Sequence, residues 1–158
     1  GVRAAGFLMG ESEDAETGRP LVCVYIPLAL FPPSGYALVF PREDVIVYVA
    51  DFFLQLEETK WTIVAGRVND HLVVSVRNLG YTRNAGEFVK RWFSDIGSAG
   101  GHRAMAKAVV PWDRFVERHG PRSDAEITAI LQEMAATFLR ETAPPAERKL
   151  LARDTAKV

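Results

Sequence analysis

A chain of 158 residues, 48% apolar and 25% charged, is long enough for one globular domain with a core of its own. Nineteen basic against 20 acidic side chains leave a formal charge of −1, which excludes a surface that coats duplex nucleic acid by counterion release but leaves room for a pocket that holds one or two phosphates. The lone Cys23 excludes an intrachain disulfide, and no apolar stretch approaches the ~20 residues that span a membrane, so a cytoplasmic protein is expected.

Residues Gly10 to Pro20 are polar and acidic, with Gly and Pro at their ends, and residues 1–20 are expected to be a flexible exposed segment. Leu21 to Leu28 is an apolar run that fits a buried strand. Pro32, Pro33 and Gly35 turn the chain, and Tyr36 to Phe40 can add a short strand. Asp44 can cap a helix to about Leu56, with Val45, Val49, Phe52, Phe53 and Leu56 on its apolar face. Trp61–Val68 and Leu72–Arg77, joined by Asn69-Asp70, predict an antiparallel hairpin. Alternation sends Leu72, Val74 and Val76 to one face and Val73, Ser75 and Arg77 to the other.

Asn78 to Ala85 reads as a loop, and Gly86 to Ile96 as a helix that buries Phe88, Trp92, Phe93 and Ile96, ended by Gly97 in a left-handed cap. A further strand is expected at about Lys107 to Val110, then a short helix at Trp112–Arg118. Ser123-Asp124-Ala125-Glu126 is a capping-box signature, opening a helix with Ile127, Ile130, Leu131, Met134 and Phe138 in one stripe. From residue 141 onward lies a charged tail carrying Pro144-Pro145, Arg148, Lys149, Arg153 and Lys157. This order predicts an α/β fold: a single domain over residues 21–140, with a mixed sheet of four to five strands covered by helices.

The segment richest in chemistry is Gly97-Ser98-Ala99-Gly100-Gly101-His102-Arg103. Glycines allow a tight turn whose N–H groups converge on an anion. His102 and Arg103 add donors, and a helix starting at Arg103 would favour a phosphate at its N-terminus. Arg77, in an otherwise apolar strand, must reach water, an anion or a carboxylate. The competing readings are a glycine turn without a ligand and an Arg77 salt bridge.

Ser75-Val76-Arg77 followed by the Gly-Gly-His segment resembles the DHH-associated domain of DHH-superfamily phosphoesterases, which include RecJ-like exonucleases and oligoribonucleases. The helix residues Val49 to Leu54 and the strand Trp61 to Gly66 are similar to what precedes that segment in the family, and the resemblance covers roughly Leu21 to Pro111. It implies a substrate-binding domain in which Arg77, Gly100, Gly101, His102 and, more weakly, Arg103 hold substrate phosphate. It also implies an N-terminal DHH catalytic domain that binds Mn2+ or Mg2+ through an Asp-His-His motif. That motif occurs nowhere in this chain, whose histidines are His71, His102 and His119. The chain, which begins at Gly1, is therefore expected to be an excised domain, inactive alone and without a cofactor of its own. Its expected ligand is a nucleotide or single-stranded oligonucleotide. Apolar surface left by a missing partner domain could pair two copies as a homodimer.

Two features depart from the family pattern. Ser98-Ala99 interrupts the glycine run, and Ala104-Met105-Ala106-Lys107 follows the His-Arg pair. The alternative function is a non-catalytic nucleotide or single-strand binding module, a sensor or adaptor. The C-terminal domain of alanyl-tRNA synthetases is a more distant resemblance, disfavoured by His102 and by the near-neutral charge.

Overall fold

The computed structural model describes residues 2–4, 7–13, 20–26, 42–55, 60–80 and 83–142. The described strands are β1 (Val2–Ala4), β2 (Phe7–Glu13), β3 (Pro20–Ile26), β4 (Trp61–Val68), β5 (His71–Asn78), β6 (Ser98–Gly101) and β7 (Met105–Pro111). The helices are α1 (Arg42–Leu54), α2 (Ala85–Phe93), α3 (Trp112–His119) and α4 (Asp124–Glu141). All seven strands form one sheet in the order β1-β2-β3-β4-β5-β7-β6. The sheet is mixed, as expected of this α/β chain: β3 and β4 run parallel, and the other neighbours are antiparallel. The parallel pair is the one connected through α1, because two parallel strands need a crossover between them.

The sheet is wider than the four to five strands expected, and the additions have physical causes. Residues 2–4 and 7–13, expected within a flexible segment over residues 1–20, form β1 and β2, which pair with each other, and β2 pairs with β3. An antiparallel strand with one solvated face tolerates polar residues, so acidic composition did not argue against it. Ser98 to Gly101, expected as a loop, pairs with β7 from Val109 to Ala106. The chain after Arg103 enters β7 directly, and no helix starts there. The turn expected at Phe31–Gly35, the strand at Tyr36–Phe40 and the tail beyond Thr142 lie outside the described residues.

The β4–β5 hairpin turns at Asn69, whose φ of 53° lies in the left-handed region that asparagine tolerates. Its alternation divides the interior as expected. Leu72, Val74 and Val76 join Trp61, Ile63, Ala65, Ala106, Ala108 and Val110 in the larger core under α2, α3 and α4. There Trp61, Phe88 and Phe138 meet edge to face, with centroids 5.5–6.2 Å apart. On the opposite face Val64 and Val73 pack under α1 against Ile46 and Ala50. A buried bond from Thr62 Oγ1 to the Ala50 carbonyl, 3.0 Å, ties that helix to β4.

Helix α1 is rotated relative to the expected face: Ile46 and Ala50 are fully buried, whereas Phe52 is 62% exposed. The helix begins at Arg42, so Asp44 is not its cap but lies in the first turn, where a carboxylate suits the helix dipole. Gly97 is not a left-handed cap either. A Cβ there would meet the Val109 carbonyl oxygen at 2.5 Å, so glycine is required by close backbone approach. Among the described residues, no helix is long and apolar enough to cross a membrane.

Candidate functional site

Among the described residues, three helices cover one face of the sheet, and α1 lies on the other, packed mainly on β4 and β5. Beside α1 on that second face, where β5, β7 and β6 lie side by side, is a pocket of about 280 Å³. Ser75 and Arg77 project into it from β5, and Met105 and Lys107 from β7. Gly100, Gly101 and His102 close its outer edge, and Val47 of α1 supplies an apolar wall. Four of the five residues expected to hold phosphate, Arg77, Gly100, Gly101 and His102, thus meet in one place. Arg103, the fifth, does not line the pocket.

Arg77 is held from three directions. Its Nε donates to Asp51 Oδ1 at 2.7 Å, and its Nη1 donates to Ser75 Oγ at 3.2 Å and to the Val76 carbonyl at 3.1 Å. The Arg77 side chain is only 12% exposed, so this partnering offsets much of the cost of withdrawing a guanidinium from water. The salt bridge that competed with a pocket role therefore exists, and it holds the guanidinium at the pocket wall. Lys107 forms an ion pair with Glu43, also on α1.

The tip of the β6–β7 hairpin is fixed by its backbone. The His102 N–H donates to the Met105 carbonyl at 2.7 Å, and the Asn78 N–H donates to the Ala104 carbonyl at 2.9 Å. The first two N–H groups of α2, from Ala85 and Gly86, donate to the Arg103 and His102 carbonyls at 3.0 and 3.1 Å. The third, from Glu87, donates to Asn84 Oδ1 at 3.2 Å. Asn78, almost fully buried, donates from Nδ2 to the Arg83 and Arg103 carbonyls at 2.9 and 3.2 Å. The His102 N–H and the first N–H groups of α2 are thus committed to the hairpin tip and to the cap.

Sequence reasoning did not find Asp51, Glu43, Lys107 or Asn78. Asp51 lies 26 residues before Arg77, and only the seating of α1 on β5 brings them together. Lys107 had one legible signal: it alternates with the buried Ala106 and Ala108, so it had to face the other side of its strand.

No protein-family model and no curated protein sequence matches the chain. Solved structures do share its fold. The C-Ala domain of alanyl-tRNA synthetase from Aquifex aeolicus is similar over 82% of this chain and 98% of that one, at 16% identity and a TM-score of 0.51. An exopolyphosphatase-related protein from Bacteroides fragilis is similar over 85% of this chain, at 11% identity and a TM-score of 0.51. The chain thus shares its fold with both of these proteins. The shared fold spans about a third of the exopolyphosphatase-related chain, 32% of its length.

Proposed function

We propose that the pocket binds the phosphate of a nucleotide or single-stranded oligonucleotide, and that the chain is the substrate-holding part of a DHH-type phosphoesterase. The observation that carries this reading is the oriented Arg77 guanidinium. It stands in a small pocket with Lys107, His102 and the Ser75 hydroxyl, and its Nη2 carries two further N–H groups that can reach an anion. Gly100 leaves space for a ligand beside these donors, since a Cβ there would meet nothing within 4 Å. A pocket of about 280 Å³ fits a phosphate with its sugar, but not a duplex.

Hydrolysis in this scheme falls to a metal-binding domain on another segment. Among the described residues, no group of three or more His, Cys, Asp or Glu side chains is arranged to hold Mn2+ or Mg2+. A second reading, a binding module without catalysis, draws support from the near-complete coverage of the C-Ala domain, a unit of similar extent.

Titration of the domain with a short single-stranded oligonucleotide, with and without Mn2+, tests the reading. Binding without Mn2+ and without cleavage is expected. Arg77→Ala should weaken it by about 1.5–3 kcal/mol, the range for a hydrogen bond to a charged group. His102→Ala should also weaken it while leaving the melting temperature in place, because His102 is exposed. Unchanged affinity in both variants would remove the pocket from consideration. Cleavage in the presence of Mn2+ would contradict the assignment of hydrolysis to another segment.

A further inference from the structure

On α1, Glu43, Val47 and Asp51 stand four residues apart and so form one stripe along the helix. Val47 lines the pocket, and the two carboxylates that flank it are the partners of the pocket's two cations, Lys107 and Arg77. Two cations and two carboxylates sum to a formal charge of zero. Both carboxylates are half-exposed, at 39% for Glu43 and 51% for Asp51. A phosphate that reaches Arg77 and Lys107 therefore comes close to both carboxylates as well. One negative charge on the phosphate is met by the cations. A second finds no further lysine or arginine among the described residues that line the pocket, and is repelled by the α1 stripe.

We infer that Glu43 and Asp51 are specificity-determining residues, which make this pocket take a singly charged phosphodiester in preference to a doubly charged terminal phosphate. The inference rests on the phosphate reading of the pocket. It extends that reading by naming the charge class of the ligand and the residues that set it.

The test uses two probes that differ by one methyl group, a nucleoside 5′-monophosphate and its methyl ester, titrated calorimetrically at pH 8. There the monoester carries two charges, its second pKa being about 6, and the methyl ester carries one. The wild-type chain is expected to bind the methyl ester more tightly by roughly fivefold, the worth of one solvated charge pair at contact. The Glu43→Gln/Asp51→Asn double variant keeps the shape of the stripe without its charge, and should bind the dianion at least as tightly as the ester. A wild-type chain that prefers the dianion would overturn the inference and leave the phosphate reading standing. So would a folded double variant that keeps the wild-type order, or one that loses both probes, since the carboxylates would then only position the cations. Failure of the wild-type chain to bind either probe would remove the phosphate reading and this inference with it.

Discussion

A methyl group placed on Gly101 would meet the Ala106 Cα at 2.4 Å and the Met105 carbonyl oxygen at 2.5 Å, and Gly101 has a φ of 151°, which side chains rarely adopt. The same methyl on Gly100 would meet nothing within 4 Å. The two neighbours consequently need glycine for different reasons. Gly101 lets β6 approach β7, and Gly100 keeps the pocket open. Gly101→Ala is expected to cost about 2–4 kcal/mol of stability, combining backbone strain with overpacking. Gly100→Ala should leave the melting temperature nearly unchanged and weaken nucleotide binding by filling the pocket. Parallel thermal melts and ligand titrations separate the two, and equal destabilisation by both would contradict the distinction. The sequence made these residues conspicuous together with Arg77 and His102, because glycine pairs and a strand-borne arginine stand out in a linear reading. It could not show that Gly100 and Gly101 lie in a strand. Glycine has low strand propensity, and only pairing with β7 overrides it.

At the level of elements, legibility followed how local each signal is. The α4 cap was legible because all its chemistry lies within four residues. Ser123 Oγ accepts from the Glu126 N–H at 3.3 Å, and Glu126 Oε2 accepts from the Ser123 N–H at 2.7 Å, closing the capping box. Ser123→Ala should cost about 1 kcal/mol, measurable as a shift in the urea midpoint at constant slope. No shift would mean that packing of Ile127, Leu131 and Phe138 alone sets the start of the helix. The hairpin at Asn69-Asp70 was legible for the same local reason. The rotation of α1 was not. Its apolar residues occupy more than one flank, and which flank turns inward depends on Val64 and Val73, distant in sequence. That rotation is what points Glu43 and Asp51 at Lys107 and Arg77, so the charge balance of the site was hidden with it.

Across the whole molecule, the helical layer is laced by charges that respond to acid in two steps. A bidentate pair joins Arg118 of α3 to Asp95, just after α2, and Arg91 of α2 pairs with Glu141 of α4. The Asp95 carboxyl is held below the usual carboxylate range first by its hydrogen bond to Arg118, Glu141 likewise by Arg91, and Glu126 by the Ser123 backbone N–H. Depressed carboxylates stabilise the fold above their unfolded value of about pH 4, and this contribution is lost as pH falls through the lower folded values. His119 lies against Phe115, with ring centroids 4.7 Å apart and the planes tilted by 39°. Its imidazole is pushed below its usual range, first by burial and then by the charges of Arg118 and Arg122. The unfolded chain thus takes up this proton first, at about pH 6.5, and stability falls as pH drops from there toward the folded value. Urea midpoints measured from pH 7.5 to 3 should show an early decline below about pH 6.5 and a second one below about pH 4. His119→Phe, which keeps an aromatic ring against Phe115 and removes the proton site, should abolish the early decline and leave the later one. A variant that tracks the wild-type chain from pH 7 to 5 would show that the imidazole does not limit the fold there, and that the carboxylate pairs alone set its acid sensitivity.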